Sequence, residues 1–400
     1  MFNQKYVEMT KHGSVIRAMF MYGLERAKVV GPENVFDFSL GNPSVPAPEC
    51  VNDAIREILD TMDSVAVHGY SPANGIDAAR LAIVEDLNKR FGTNYGIHNI
   101  FMAVSAAGAI AHALRAVIME DGDEIVTFAP YFPEYMEYVR GAGGKFVAVP
   151  ADTDTLQINF EAFEAVLNPN VRAVLINTPN NPSGIVYSKE TIERLARILE
   201  EKQKEYGHSI YIISDEPYRE LVFSGVDAPF VAKYYANTMI CYSYSKSMSI
   251  PGERIGYVVI NTEAEDYPHA VAAFAQISRG IGHNCPPSIM QLALAKCAGA
   301  VSDLSVYETN KNILMQELTR MGFDIIEPGG TFYMFPRALE PDAKAFCEKA
   351  KEFDLLLVPS DSFGCEGFFR IAYCCTTEKI LRALPKFEAL AEYYKNKEQV

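Results

Sequence analysis

From about residue 98 the chain alternates between two hydrophobic rhythms. Short runs that are apolar at nearly every position (NIFMAVS, DEIVTFAP, GKFVAVPA, VRAVLINTP, SIYIISDEP, TMICYSYSK and RIGYVVI) are interleaved with longer stretches such as AAGAIAHALRAVIM, FEAFEAVL and KETIERLARILEEKQKEYG. In the longer stretches the apolar residues recur every three or four positions, the period of an amphipathic helix. Strands without a polar face need cover on both sides, so the pattern predicts an α/β fold with a mostly parallel central sheet flanked by helices. After Pro286-Pro287 the rhythm changes to a long helical stretch, a few short strands and a closing helix near TTEKILRALPKFEALAEYYKN. That reads as a smaller α+β domain. The expected division is a large domain over residues 48–288 and a small one over 289–400. The first 47 residues, with the helical GSVIRAMFMYGLERAKVV, are expected to contribute to the small one. No internal repeat or low-complexity linker interrupts the chain.

Composition narrows the class. Four hundred residues, 49% hydrophobic and 22% charged, suit a two-domain globular enzyme with a sizeable core. The net charge of −15, with no long Lys/Arg run, sets most of the surface against a phosphate backbone and excludes nucleic acid as a main partner. Lys5, Glu8, Lys11 and Arg17 break the N-terminal segment before a signal-like apolar core can form, and no later segment offers a membrane span. The expected location is the cytoplasm. Eight scattered cysteines form no CxxC pair and the histidines lack metal-site spacing, so reduced thiols and no metal are expected.

Ligands of open α/β sheets bind beyond the carboxyl ends of the strands. Four polar clusters fall at such ends: Ser105-Ala106-Ala107-Gly108, Asn180-Asn181-Pro182-Ser183-Gly184, Asp215-Glu216-Pro217-Tyr218 and Ser243-Tyr244-Ser245-Lys246. Each has an ordinary structural explanation. Asp215 suits a cap on the Pro217 turn, NNPSG is good turn chemistry, Phe132 suits core packing, and a lysine at a strand end is usually a solvated charge. If the strands are neighbours, however, all four clusters converge on one site.

These motifs carry a resemblance. Leu40-Gly41-Asn42-Pro43, TPNNPSG, SDEPY, SYSKSMSIPGERIGY and GFFRIAY occur in the order and spacing of the class I/II aminotransferases, so the chain resembles the aspartate aminotransferase family. The resemblance runs over nearly the whole length and implies the fold type I architecture of pyridoxal-5′-phosphate enzymes. It implies that Lys246 holds the cofactor as an internal aldimine and later moves the proton between Cα and the cofactor. Asp215 is implied to pair with the pyridinium nitrogen, and Asn181 and Tyr218 to reach the phenolic oxygen. Ala106, Ala107 and Gly108, with Ser243 and Arg254, are implied to hold the phosphate, using the free N–H groups of a helix start. Phe132 matches the aromatic that stacks on the ring, and Tyr70 a residue that reaches the phosphate of the neighbouring subunit, which makes the active form a homodimer. Arg370 is implied to grip the substrate α-carboxylate, with Gly41 lying over the substrate.

The implied activity is transfer of the amino group of an L-amino acid, aspartate by family default, to a 2-oxo acid such as 2-oxoglutarate. Alanine, aromatic amino acids, and a β-lyase or racemase reaction on the same fold are the neighbouring readings, since the cofactor supplies chemistry common to all. A regulatory protein that had kept the fold is the reading from another class; against it, no DNA-binding domain is appended, the net charge is acidic and all the expected catalytic residues are present. An aspartate enzyme needs a second cation for the distal carboxylate, and Arg279, reaching from the neighbouring subunit, is the expected one. Its alternative is a helix-end or interface arginine.

Overall fold

The computed structural model describes residues 2, 4–10 and 13–398. Residues 1, 3, 11, 12, 399 and 400, at the extremes of the two outer segments named above, lie outside the described residues. Strand β1 (Phe36–Asp37) follows the N-terminal helix Val15–Val30. The next strands are β2 (Ile100–Ala103), β3 (Glu124–Phe128), β4 (Lys145–Val149), β5 (Val171–Asn177), β6 (Tyr211–Asp215), β7 (Thr238–Ser243) and β8 (Gly256–Ile260). They form one seven-stranded sheet in the order β2-β8-β7-β6-β5-β3-β4. All run parallel except β8, which is antiparallel to both of its neighbours.

Alternation along the strands explains why both faces are apolar. On one face Ala173, Leu175, Ile213, Cys241 and Val258 pack against Ala109 and Ala113 of the helix Ser105–Val117 and Phe274 of the helix Tyr267–Ile281. On the other, Val126, Val174, Ile176 and Ile212 meet Ile192, Leu195 and Leu199 of the helix Lys189–Tyr206, whose start is capped by the Ser188 hydroxyl accepting from Thr191 N–H. Beside them Ile240, Tyr242 and Tyr257 meet Leu87, Met290 and Leu294.

A second unit is built on β9 (Tyr333–Met334), β10 (Leu355–Leu356), β11 (Val358–Pro359) and β12 (Phe369–Ala372). β12 lies between β11 and β9, antiparallel to both, while β10 pairs in parallel with β1. Phe332, Phe346, Phe369, Phe387, Leu314 and Leu318 share its core. The N-terminal helix joins this unit through Met19, which packs with Val35 and Leu356. One expectation needs correction. The helix Ser288–Cys297 was assigned to the small domain, yet Met290, Leu294 and Cys297 are buried in the large domain's core, against the helices Glu49–Thr61 and Asp77–Phe91. Its apolar face fits the sheet layer, and Pro286-Pro287 marks only the turn into it.

The reversed direction of β8 has a chemical consequence. The carboxyl ends of β2, β5, β6 and β7 and the amino end of β8 all open on one edge, so residues just before Gly256 join those that follow the parallel strands. Gly256 allows this close approach, since a Cβ there would stand 2.2 Å from the Tyr242 carbonyl oxygen and 3.0 Å from the Ser105 carbonyl carbon. We expect Gly256→Ala to force β8 from the helix start and to cost about 1–3 kcal/mol, the range for an overpacked site. Urea denaturation should show this as a lower midpoint, and an unchanged midpoint would refute it.

Candidate active site

One cavity of about 640 Å³ opens on this edge. Its floor is Asp215, the last residue of β6, 6% exposed and flanked by the parallel strands β5 and β7. Tyr135 donates its hydroxyl hydrogen to Asp215 Oδ2 at 2.5 Å, whereas Oδ1 is buried with no hydrogen-bond partner among the described residues. Burial pushes the Asp215 carboxyl up to about 7, against the stabilising pull of Tyr135 and with a further push from the neighbouring Glu216 carboxylate.

Above the floor lies Lys246, on the single-turn helix Tyr244–Ser247 that begins where β7 ends. Its amine donates to the Gly41 carbonyl at 2.7 Å and stands over the Phe332 ring at 5.4 Å. Burial lowers its affinity for a proton to about 8; Arg370 and Arg254 lower it further, and the nearby Cys374 thiol opposes them. A lysine in this state yields the neutral amine near neutral pH far more readily than a solvated lysine does, which a nucleophilic amine or a base requires.

At one end of the cavity the helix Ser105–Val117 presents its first turn. Ser105, Ala106 and Ala107 precede the first intrahelical bond, in which Gly108 N–H donates to the Val104 carbonyl at 3.2 Å. The Gly108 amide is therefore committed to the helix, and the expectation that it contacts an anion is corrected. Arg254 donates to the Ser105 hydroxyl at 2.7 Å. Both residues hold left-handed backbone angles, φ 66° for Ser105 and 52° for Arg254, strain of the kind that collects at binding sites. The Ser243 hydroxyl faces the same end, bonded to Ser245 Oγ at 2.6 Å.

At the other end Arg370 is 1% exposed, with its guanidinium 4.6 Å from the Tyr333 ring centre and 5.2 Å from that of Phe363. It donates to Asn181 Oδ1 at 2.9 Å and to the Ser39 carbonyl, and its Nε has no partner among the described residues. Because a guanidinium only donates, the amide oxygen of Asn181 must face it, leaving the NH₂ group available as a donor. Asn177 secures this corner by donating to the Asp215 carbonyl at 2.8 Å and accepting from Asn181 N–H at 2.7 Å. The Tyr218 hydroxyl lies 3.3 Å from that of Tyr333, and Tyr333 fills the space beside Gly41, where a Cβ would come within 1.8 Å of its oxygen. Phe132 lines the cavity wall edge-on to Tyr135.

Two residues expected at the site lie apart from this cavity. Tyr70 is fully exposed. Arg279, at the C-terminal end of its helix, is exposed and hydrogen-bonded to Gln276 at 3.1 Å.

A family model described as aminotransferase class I and II matches residues 33–387. The chain is a class I and II aminotransferase. Among solved structures, an aminotransferase from Eubacterium rectale superposes with a TM-score of 0.96 at 49% identity, covering 98% of this chain and 99% of that one. Aspartate aminotransferase from Thermotoga maritima superposes at 0.84 with 26% identity, covering 95% and 97% of the two chains. Aromatic-amino-acid aminotransferase 2 of Thermococcus litoralis is 30% identical over 375 residues, 90% of this chain and 92% of that protein. The architecture is that of fold type I, and the enzyme transfers amino groups between amino acids and 2-oxo acids with pyridoxal 5′-phosphate as cofactor.

The cavity fits that cofactor. The unpartnered Oδ1 of Asp215 suits a protonated ring nitrogen, the open helix start with Arg254 suits a phosphate, and Lys246 suits an aldehyde. Sequence reasoning passed over Tyr135, Asn177 and Tyr333, whose residue types carry no signal until the fold brings them to the site.

Asp215 holds its proton more tightly in the folded chain than in the unfolded one, where its value is 3.8. The stability this contributes is complete below that value and is lost as pH rises toward about 7. Melting curves of the cofactor-free protein should show this loss, and Asp215→Asn should flatten it. Tyr135→Phe removes the bond that favours the carboxylate, so its loss should extend to higher pH. Coincident curves for wild type and Asp215→Asn would disprove the assignment.

Proposed function

We propose that the enzyme uses aspartate as amino donor and 2-oxoglutarate as acceptor, as a cytoplasmic homodimer. The carrying observation is the meeting, in one cavity, of an amine of lowered proton affinity and, among the described residues, a carboxylate oxygen without a partner and a buried arginine without an acid. When bound, pyridoxal phosphate supplies an electron sink that makes the amino acid's Cα–H acidic.

The chain's own residues supply the rest. Arg370 receives the substrate α-carboxylate in a two-pronged contact and fixes the Cα–H bond toward Lys246. Lys246 would hold the cofactor through its amine and, with that amine free, would carry the proton between the substrate Cα and the cofactor. Asp215 keeps the ring nitrogen protonated by offering Oδ1, with Oδ2 restrained by Tyr135. Asn181 and Tyr218 would donate to the ring oxygen, and Phe132 would cover the ring face. Ser243, Arg254 and the amides of Ala106 and Ala107 hold the phosphate, and Tyr70 adds a contact to the partner subunit's site. Gly41 keeps the substrate side of the cavity open.

Aspartate is favoured because Thermotoga maritima aspartate aminotransferase aligns over nearly the whole chain. Aromatic substrates are the second reading, supported by the Thermococcus litoralis relative and by Phe20, Ile110, Phe132 and Tyr138 on the cavity wall. The distal carboxylate of aspartate needs a cation, and Arg279 can supply one only to the partner's site.

Borohydride reduction of the purified enzyme should fix the cofactor on Lys246, and a peptide map placing it on another lysine would overturn the central assignment. A substrate panel should give the highest kcat/KM with aspartate, and Arg279→Ala should lower that value far more than the one for alanine. Equal losses would make Arg279 structural.

A further inference from the structure

We propose that Arg17, carried over the cavity by the N-terminal helix, binds the distal carboxylate of dicarboxylic substrates from within the same chain. This rests on the aspartate reading above and deepens it.

The basic residues lining the cavity are Arg17, Lys246, Arg254 and Arg370. Three of them already have work there. Arg254 is tied to Ser105 beside the open helix start, Arg370 is anchored by Asn181, and Lys246 stands over the floor. Arg17 is different. Its side chain makes no hydrogen bond or ion pair among the described residues, although it lines the same cavity. Its position is built rather than incidental. Ser14 caps the helix Val15–Val30 by accepting from Arg17 N–H at 3.4 Å, and Met19, two residues on, is buried against Val35 and Leu356 of the small unit. The helix therefore brings Arg17 to the cavity from the side of the unit that also carries Arg370.

Charge balance gives this cation a purpose. A chain of net charge −15 repels a dianion at long range, so dicarboxylate selectivity has to come from cations at the site. A phosphate occupies Arg254 and an α-carboxylate occupies Arg370, which leaves Arg17 for a second carboxylate. The acids lining the cavity, Glu134 and Asp215, do not cancel it. Neither forms an ion pair or hydrogen bond with the Arg17 side chain among the described residues, and Asp215 lies on the floor bound to Tyr135. Arg279 lies outside this cavity and serves only the partner's site, so the cation that this chain itself brings to the second carboxylate is Arg17.

The test uses cofactor-loaded enzyme. Arg17→Ala should raise KM for aspartate up to about fivefold more than KM for alanine, the upper end for a partly solvated charge pair, and Arg17→Lys should recover part of the difference. Calorimetry gives a second readout. Succinate binding should weaken by a similar factor in Arg17→Ala while propionate binding changes much less, and the succinate effect should shrink at high salt. Retained aspartate preference and retained succinate affinity in Arg17→Ala would overturn the role of Arg17 and leave the aspartate reading standing. A wild type that prefers neither aspartate over alanine nor succinate over propionate would overturn both. Circular dichroism and the cofactor absorbance of each variant confirm that the loaded fold is intact before comparison.

Discussion

A carboxylate buried at the end of a central strand, with one oxygen bound and the other without a partner among the described residues, is the constraint around which this enzyme is arranged. Leaving a buried polar group without a partner costs roughly 1–3 kcal/mol, and more for a charge. Asp215 is caught between these terms, since Tyr135 favours the carboxylate and burial favours the acid. The protein tolerates the conflict because the large apolar layers on both faces of the sheet hold β6 in place. A protonated ring nitrogen set against Oδ1 would resolve it and would link cofactor binding to the stability of the sheet's centre.

The phosphate end shows a similar exchange of strain for readiness. Ser105 and Arg254 both sit in the left-handed region without being glycine, at a cost of order 1–3 kcal/mol each. Their reward is a guanidinium and an open helix start held in contact before any anion arrives. The arrangement depends on the reversal of β8. Had β8 run parallel to its neighbours, Arg254 would lie at the far edge of the sheet, about 15 Å away for a five-residue strand.

The other end of the cavity lies where the two units meet. Arg370 comes from β12 of the small unit and Asn181 from the loop after β5 of the large one, so the hydrogen bond between them joins the two units at the site. Gly41 and Lys246 form a second such link, between the segment that follows β1 and the one that follows β7. Acidic as the whole protein is, its cavity gathers basic groups from four separate parts of the chain.

Much of this was written in the sequence. The strands after residue 98 were legible because they are apolar at successive positions, a pattern that only burial on both faces supports. Lys246, Asp215, Asn181, Arg254 and Arg370 were legible because they stand in motifs with fixed spacing. Other features depended on distance in space. Gly108 was assigned to the anion site because it shares a strand-to-helix turn with Ala106 and Ala107, but only the hydrogen-bond pattern shows that the helix has already taken its amide. The helix Ser288–Cys297 has an apolar face that suits either unit, and packing against the helices Glu49–Thr61 and Asp77–Phe91 decided which. Tyr135 and Arg17 lie in ordinary helical stretches, 80 and 229 residues from Asp215 and Lys246. Local sequence sets the type of element and the chemistry of each side chain. Which side chains meet across such separations is decided by the packing of whole faces, and that is a property of the tertiary structure alone.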